Sequence, residues 1–133
     1  MLWWKRKTGK QGQPEKQIKK PSAEKVRIVD GFIRKAMELA REEKSPHNWI
    51  FDVPGTKNEA ILSVEQSGDK QTVAVMVRRK GSSYVTMHYL FTGTREEVEL
   101  FLSEPEHADK MVNSVWELSA SVDDQADEYP FYG

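Results

Sequence analysis

Between residues 48 and 91 the chain alternates apolar and polar residues four times over, and each alternating run is cut off by a turn signal. Side chains of a β-strand point to opposite faces with a period of two, so this pattern commits the segment to strands with one buried face. The runs are Trp49, Phe51 and Val53; Ala60, Leu62 and Val64; Val73, Val75 and Val77; and Val85, Met87, Tyr89 and Phe91. Pro54-Gly55, Ser67-Gly68-Asp69-Lys70 and Lys80-Gly81-Ser82-Ser83 separate them at hairpin spacing, which reads as an antiparallel meander.

Mutual consistency sets the expected registers. Val53 opposite Ala60, Val64 opposite Val73, and Val77 opposite Met87 present every apolar run to one face. A one-residue slip of the fourth strand sets the valines against Thr86 and His88, so the register is expected to be strongly specified.

A sheet with one apolar face needs a cover, and the flanking sequence supplies three amphipathic helices. Ser22 is a helix cap with Glu24 in the first turn, followed by Val26, Val29, Ile33, Ala36 and Ala40 at helical spacing, flanked by Phe32, Met37 and Leu39. Pro46 ends this helix near Lys44. After the strands, Thr94-Arg95-Glu96-Glu97 has the form of a capping box ahead of Val98, Phe101 and Leu102. Ser103-Glu104-Pro105-Glu106 then starts a last helix carrying Ala108, Met111, Val112, Val115 and Leu118. The expected fold is an α+β two-layer sandwich ordered α-β-β-β-β-α-α, with the helices on one face of a four-stranded meander. Phe32, Ile33, Phe51, Leu62, Val75, Met87 and Tyr89 are the expected centre of its core.

With 133 residues the chain suits one domain able to bury a core without disulfides or metals. Cysteine is absent, which removes thiolate metal sites and cysteine nucleophiles. The N-terminus lacks the apolar run of a secretory signal, so a cytoplasmic location is the default expectation. Charge divides the chain into three parts. Residues 1–21 hold seven cations, Lys5, Arg6, Lys7, Lys10, Lys16, Lys19 and Lys20, against the single anion Glu15. They read as a flexible basic tail headed by Trp3 and Trp4, with residues 22–120 as the α+β domain. Residues 121–133 read as an acidic and aromatic C-terminal tail, with Asp123, Asp124, Asp127 and Glu128 before Tyr129-Pro130-Phe131-Tyr132.

Chemistry-bearing motifs are scarce. His47, His88 and His107 have no second histidine at a ligand spacing of three or four, so no metal is expected. Glu42-Glu43, Glu96-Glu97-Glu99 and Glu104-Glu106 sit at helix ends, where the helix dipole and solvation account for them. Isolated turn glycines make no phosphate cradle, and no serine lies in a nucleophile elbow. The expectation is therefore a non-catalytic chain with neither catalytic residue nor cofactor, and no small-molecule substrate.

Two surfaces stand out instead. With the valines inward, the opposite sheet face carries Ile50, Ile61, Ala74, Met76 and Leu90 among Asp52, Ser63, Glu65, Thr72, Arg78, Tyr84, Thr86 and His88, more apolar than a fully solvated face. The head places two tryptophans, favoured interface anchors, beside cations. Trp3, Trp4, Ile61, Met76, Arg78, His88 and Leu90 are the expected protein-contact residues of an adaptor, a chaperone-like factor or an inhibitor. The partner is another protein or a second copy of the chain in a homodimer through the outer sheet face. The alternative is accessory nucleic-acid binding, or contact with an anionic membrane surface, through the seven cations of the tail, with a tryptophan stacking on a base or seated at the interface. A third reading is a small enzyme with an unrecognised cleft site. The acidic body offers no basic groove to extend a nucleic-acid footprint beyond the tail.

Overall fold

A computed structural model describes residues 21–43 and 46–128. The chain runs α1 (Ala23–Glu43), β1 (His47–Asp52), β2 (Asn58–Ser67), β3 (Lys70–Arg79), β4 (Val85–Gly93), α2 (Arg95–Ser103) and α3 (Glu106–Glu128). The strands form one antiparallel sheet in the order β1-β2-β3-β4. The expected α+β arrangement is the observed one. The basic tail expected over 1–21 lies outside the described residues apart from Pro21. Helix α3 continues past position 120 to Glu128.

Helix boundaries follow from local chemistry. The Ser22 hydroxyl accepts from the Lys25 amide (3.2 Å) and the Ser22 carbonyl from Val26 (3.0 Å), which starts α1. The capping box of α2 is complete: Thr94 Oγ1 accepts from the Glu97 amide (3.2 Å), and Glu97 Oε1 from the Thr94 amide (2.8 Å). The apolar stripe of α1 buries Val29, Ile33, Ala36, Met37 and Ala40 against Leu62, Val75, Val77, Met111 and Val115 in one core between helices and sheet.

The central register is the expected one, with Val64 opposite Val73, Leu62 opposite Val75 and Ala60 opposite Val77. Strand β1 is displaced by two residues from expectation: Phe51, not Val53, faces Ala60. Thr56 is the reason. Its hydroxyl donates to the Val53 carbonyl (2.9 Å) and accepts from the Asn58 amide (3.0 Å), closing the connection so that Val53 bonds to Asn58. Gly55 takes φ 80 within it, a left-handed geometry that suits glycine. A shift of two keeps Trp49 and Phe51 on the core side, because the side-chain period is also two.

Strand β4 departs further. Val73 pairs with Phe91 as expected, but Ala74 pairs with Tyr89, so Leu90 is an extra residue in a bulge. Beyond it the register is the slipped one, with Val75 opposite His88 and Val77 opposite Thr86. Met87 (38% exposed) and Tyr89 (71% exposed) therefore leave the core expected of them, and Thr86 and His88 turn toward the helices. The polar groups brought inside find partners, which removes the penalty that argued against this register: Thr86 Oγ1 donates to the Val77 carbonyl (3.3 Å), and His88 Nδ1 lies 3.1 Å from Ser114 Oγ on α3. Phe32, also expected in the core, is 47% exposed and stacks on Phe51 with ring centroids 5.1 Å apart.

Candidate protein-contact face

The three helices pack on one side of the sheet. Ile61 and Ala74 are each 5% exposed, yet they stand apart from the core cluster, because register turns them to the other side. Around them on this open face the register places Ile50 of β1, Met76 of β3, and Met87 and Tyr89 of β4. Ser63, between Asn48 and Ala74 in the same layer, is 1% exposed, and its hydroxyl is buried without a hydrogen-bond partner among the described residues. The centre of the face is thus a trough of small side chains bordered by large apolar ones.

Its rim is nearly self-neutralised. Arg78 Nε donates to Glu59 Oε2 (2.7 Å) across the β2–β3 pair, and Lys80 Nζ lies 3.1 Å from Asp52 Oδ1. Thr72 and Thr92 hydroxyls bond across β3 and β4 (3.0 Å). A face with these charges paired and an apolar middle offers few free cations to a phosphate backbone.

The expected contact residues divide on this geometry. Ile61, Met76 and Arg78 lie on the open face. His88 and Leu90 do not: the bulge sends His88 to Ser114, and Leu90 packs partly buried against the core. Met87 and Tyr89 take their places. Trp3, Trp4 and the seven tail cations lie outside the described residues.

Other polar groupings serve the fold. His107 Nδ1 is 2.7 Å from the Phe101 carbonyl, so it carries the proton and donates; Glu104 Oε1 is 3.4 Å away. These two residues and Glu106 could bring ligand atoms within 4.8 Å of one another, but they surround the start of α3, where the positive end of the helix opposes a cation. His107 also stacks on Phe101 (3.8 Å), which stacks on Phe91 (4.8 Å), tying the α2–α3 corner to β4.

A second network closes the opposite end of the sheet. Asn58, fully buried, donates through Nδ2 to Ser119 Oγ (2.8 Å) and Asp123 Oδ1 (3.0 Å), and its Oδ1 accepts from Arg79 Nε (3.0 Å). Arg79 Nη2 completes the ring to Asp123 Oδ1 (2.8 Å). Sequence reading missed this network, since Asn58 beside a Pro-Gly turn looks like a loop residue. Above it, a cavity of about 260 Å³ opens between Pro21, Lys25, the Pro54–Thr56 turn and Trp116. Among the described residues, no helix is long and apolar enough to cross a membrane. Comparison with known protein families, with curated proteins and with solved structures finds no match to this chain.

Proposed function

We propose that this protein is a non-catalytic protein-interaction domain, an adaptor, chaperone-like factor or inhibitor, that works through the open face of its sheet. The observation that supports this reading is the exposure of Ile50 (54%), Met87 (38%) and Tyr89 (71%) on the sheet face opposite the helices, around the buried Ile61 and Ala74. The paired rim charges support an uncharged protein surface as partner rather than a polyanion. On the catalytic side, the Ser–His contact found among the described residues, Ser114 with His88, sits between strand and helix with Ser114 buried. Capture on the immobilised full chain, compared with Met76→Glu, tests the proposal. The expected result is one or a few proteins retained by the native chain and lost by the variant, while both melt at similar temperatures. Identical capture by both chains overturns it.

A further inference from the structure

Strand β1 leaves a row of main-chain groups unanswered. Val53 donates to the Asn58 carbonyl (3.0 Å), next in register after Asp52 and Glu59. Antiparallel ladders alternate bonded and non-bonded pairs, so Phe51, Trp49 and His47 also turn their N–H and C=O groups toward β2. Asn48, Ile50 and Asp52 turn theirs off the edge of the sheet, where no strand among the described residues pairs with them. All three are exposed. Beside this edge an opening of about 250 Å³ lies between β1 and α1, lined by Phe32, Lys35, Leu39, Trp49 and Ile50.

We infer that β1 pairs with β1 of a second copy, antiparallel about a two-fold axis at Ile50, joining two sheets into one. The sequence of the strand is self-complementary in this register. Ile50 meets Ile50 at the axis, and on either side Asn48 faces Asp52, giving about six main-chain hydrogen bonds. On the open side of the sheet the two isoleucines pack together. Each Asn48 amide donates to the opposite Asp52 carboxylate, which keeps lone pairs free beside Lys80 (3.1 Å). On the helix side Trp49 falls opposite Phe51, and the two α1 helices close the openings beside Phe32. Shifting the pairing by two residues sets Ile50 against Asn48 or Asp52 and leaves the strand ends unmatched.

Both β1 edges are used up, so the assembly closes at two chains. The contact is about 20 Å long and about 20 Å deep, one sheet and one helical layer, or roughly 800 Å² over both copies. That is short of the roughly 1,200 Å² of a standard interface, so the dimer forms and dissociates with concentration. It uses the edge of the sheet and stands whatever the open face binds.

Sedimentation of the full chain tests the pairing. Average mass should rise from the 15.3 kDa of one chain toward twice that value between micromolar and near-millimolar concentration. Over the same range the Ile50 amide should exchange its hydrogen more slowly. Ile50→Pro removes an outward N–H and no bond to β2, so it should leave a folded monomer. If that variant does not fold, two exposed substitutions decide. Asn48→Lys opposes Asp52 across the axis and should tighten the dimer roughly two- to thirtyfold, whereas Asn48→Asp should loosen it by a similar factor. A single chain at every concentration overturns the inference. So does a dimer that survives Ile50→Pro, leaves Ile50 exchange unchanged or responds alike to both Asn48 variants, since the copies then meet elsewhere.

Discussion

His88 on β4 and Ser114 on α3 meet at 3.1 Å between the sheet and its helical cover, a contact that exists only because Leu90 bulges out of register. Ser114 is buried, so losing its partner strands a hydroxyl. His88→Ala should cost about 1–3 kcal/mol in urea unfolding. A double-mutant cycle with Ser114→Ala should show coupling of about 0.5–3 kcal/mol. Additive losses are the result that rules the contact out.

Parity on β4 has a second consequence. Tyr89, at 71% exposure, should tolerate alanine within about 0.5 kcal/mol. Leu62→Ala, at a fully buried position facing α1 and α3 in the same core, should cost about 2–5 kcal/mol. Val75→Asp puts an unpaired charge into the same layer and should leave the chain unfolded. Reversal of the Tyr89 and Leu62 effects would return β4 to the unbulged register.

The ring of Asn58, Ser119, Asp123 and Arg79 should behave as one unit. Asn58→Ala removes a side chain that bonds to a carboxylate and a guanidinium, and such bonds contribute about 1.5–3 kcal/mol each. Combined with Asp123→Ala, the loss should fall short of the sum of the single losses by about 0.5–3 kcal/mol, measured by chemical denaturation. Full additivity means the ring does not form.

Thr94→Ala should destabilise by about 1 kcal/mol, because the Glu97 amide loses its acceptor, while Thr94→Ser stays close to the native chain. Calorimetric melts of the two variants check the difference. Equal melting of both would mean the box contributes nothing beyond the rest of the α2 packing.

Legibility in the sequence varied by element for physical reasons. The β2–β3 register was readable because valines and Leu62 admit one burial pattern. The cap of α2 was readable because Thr94 and Glu97 need nothing beyond local geometry. The shift in β1 was invisible, since it depends on Thr56 bonding to its own backbone. It did no harm to the face assignment, because two residues restore the parity. The bulge in β4 was invisible and did matter. Tyr84 to Phe91 reads plausibly in either parity, and tyrosine and methionine tolerate exposure that valine would not. The make-up of the open sheet face depended on that parity, which is why Ile61 and Met76 lie on it as expected while His88 and Leu90 do not and Met87 and Tyr89 do. Phe32 was misjudged for a milder reason: it lies at the border of the α1 stripe, where stacking on Phe51 leaves nearly half its surface open.

The bulge also bears on how copies of this protein behave when crowded together. β4 is an outer strand, and an outer strand with regular spacing is a template on which further strands can add without limit. One surplus residue breaks the repeat of donors and acceptors along that border and increases the local twist. The opposite border, β1, is only six residues long and is bracketed by Pro46 and Pro54. Both borders are poor templates for a growing ribbon, so the sheet can leave one apolar side without a helical cover and not feed fibril growth from its margins.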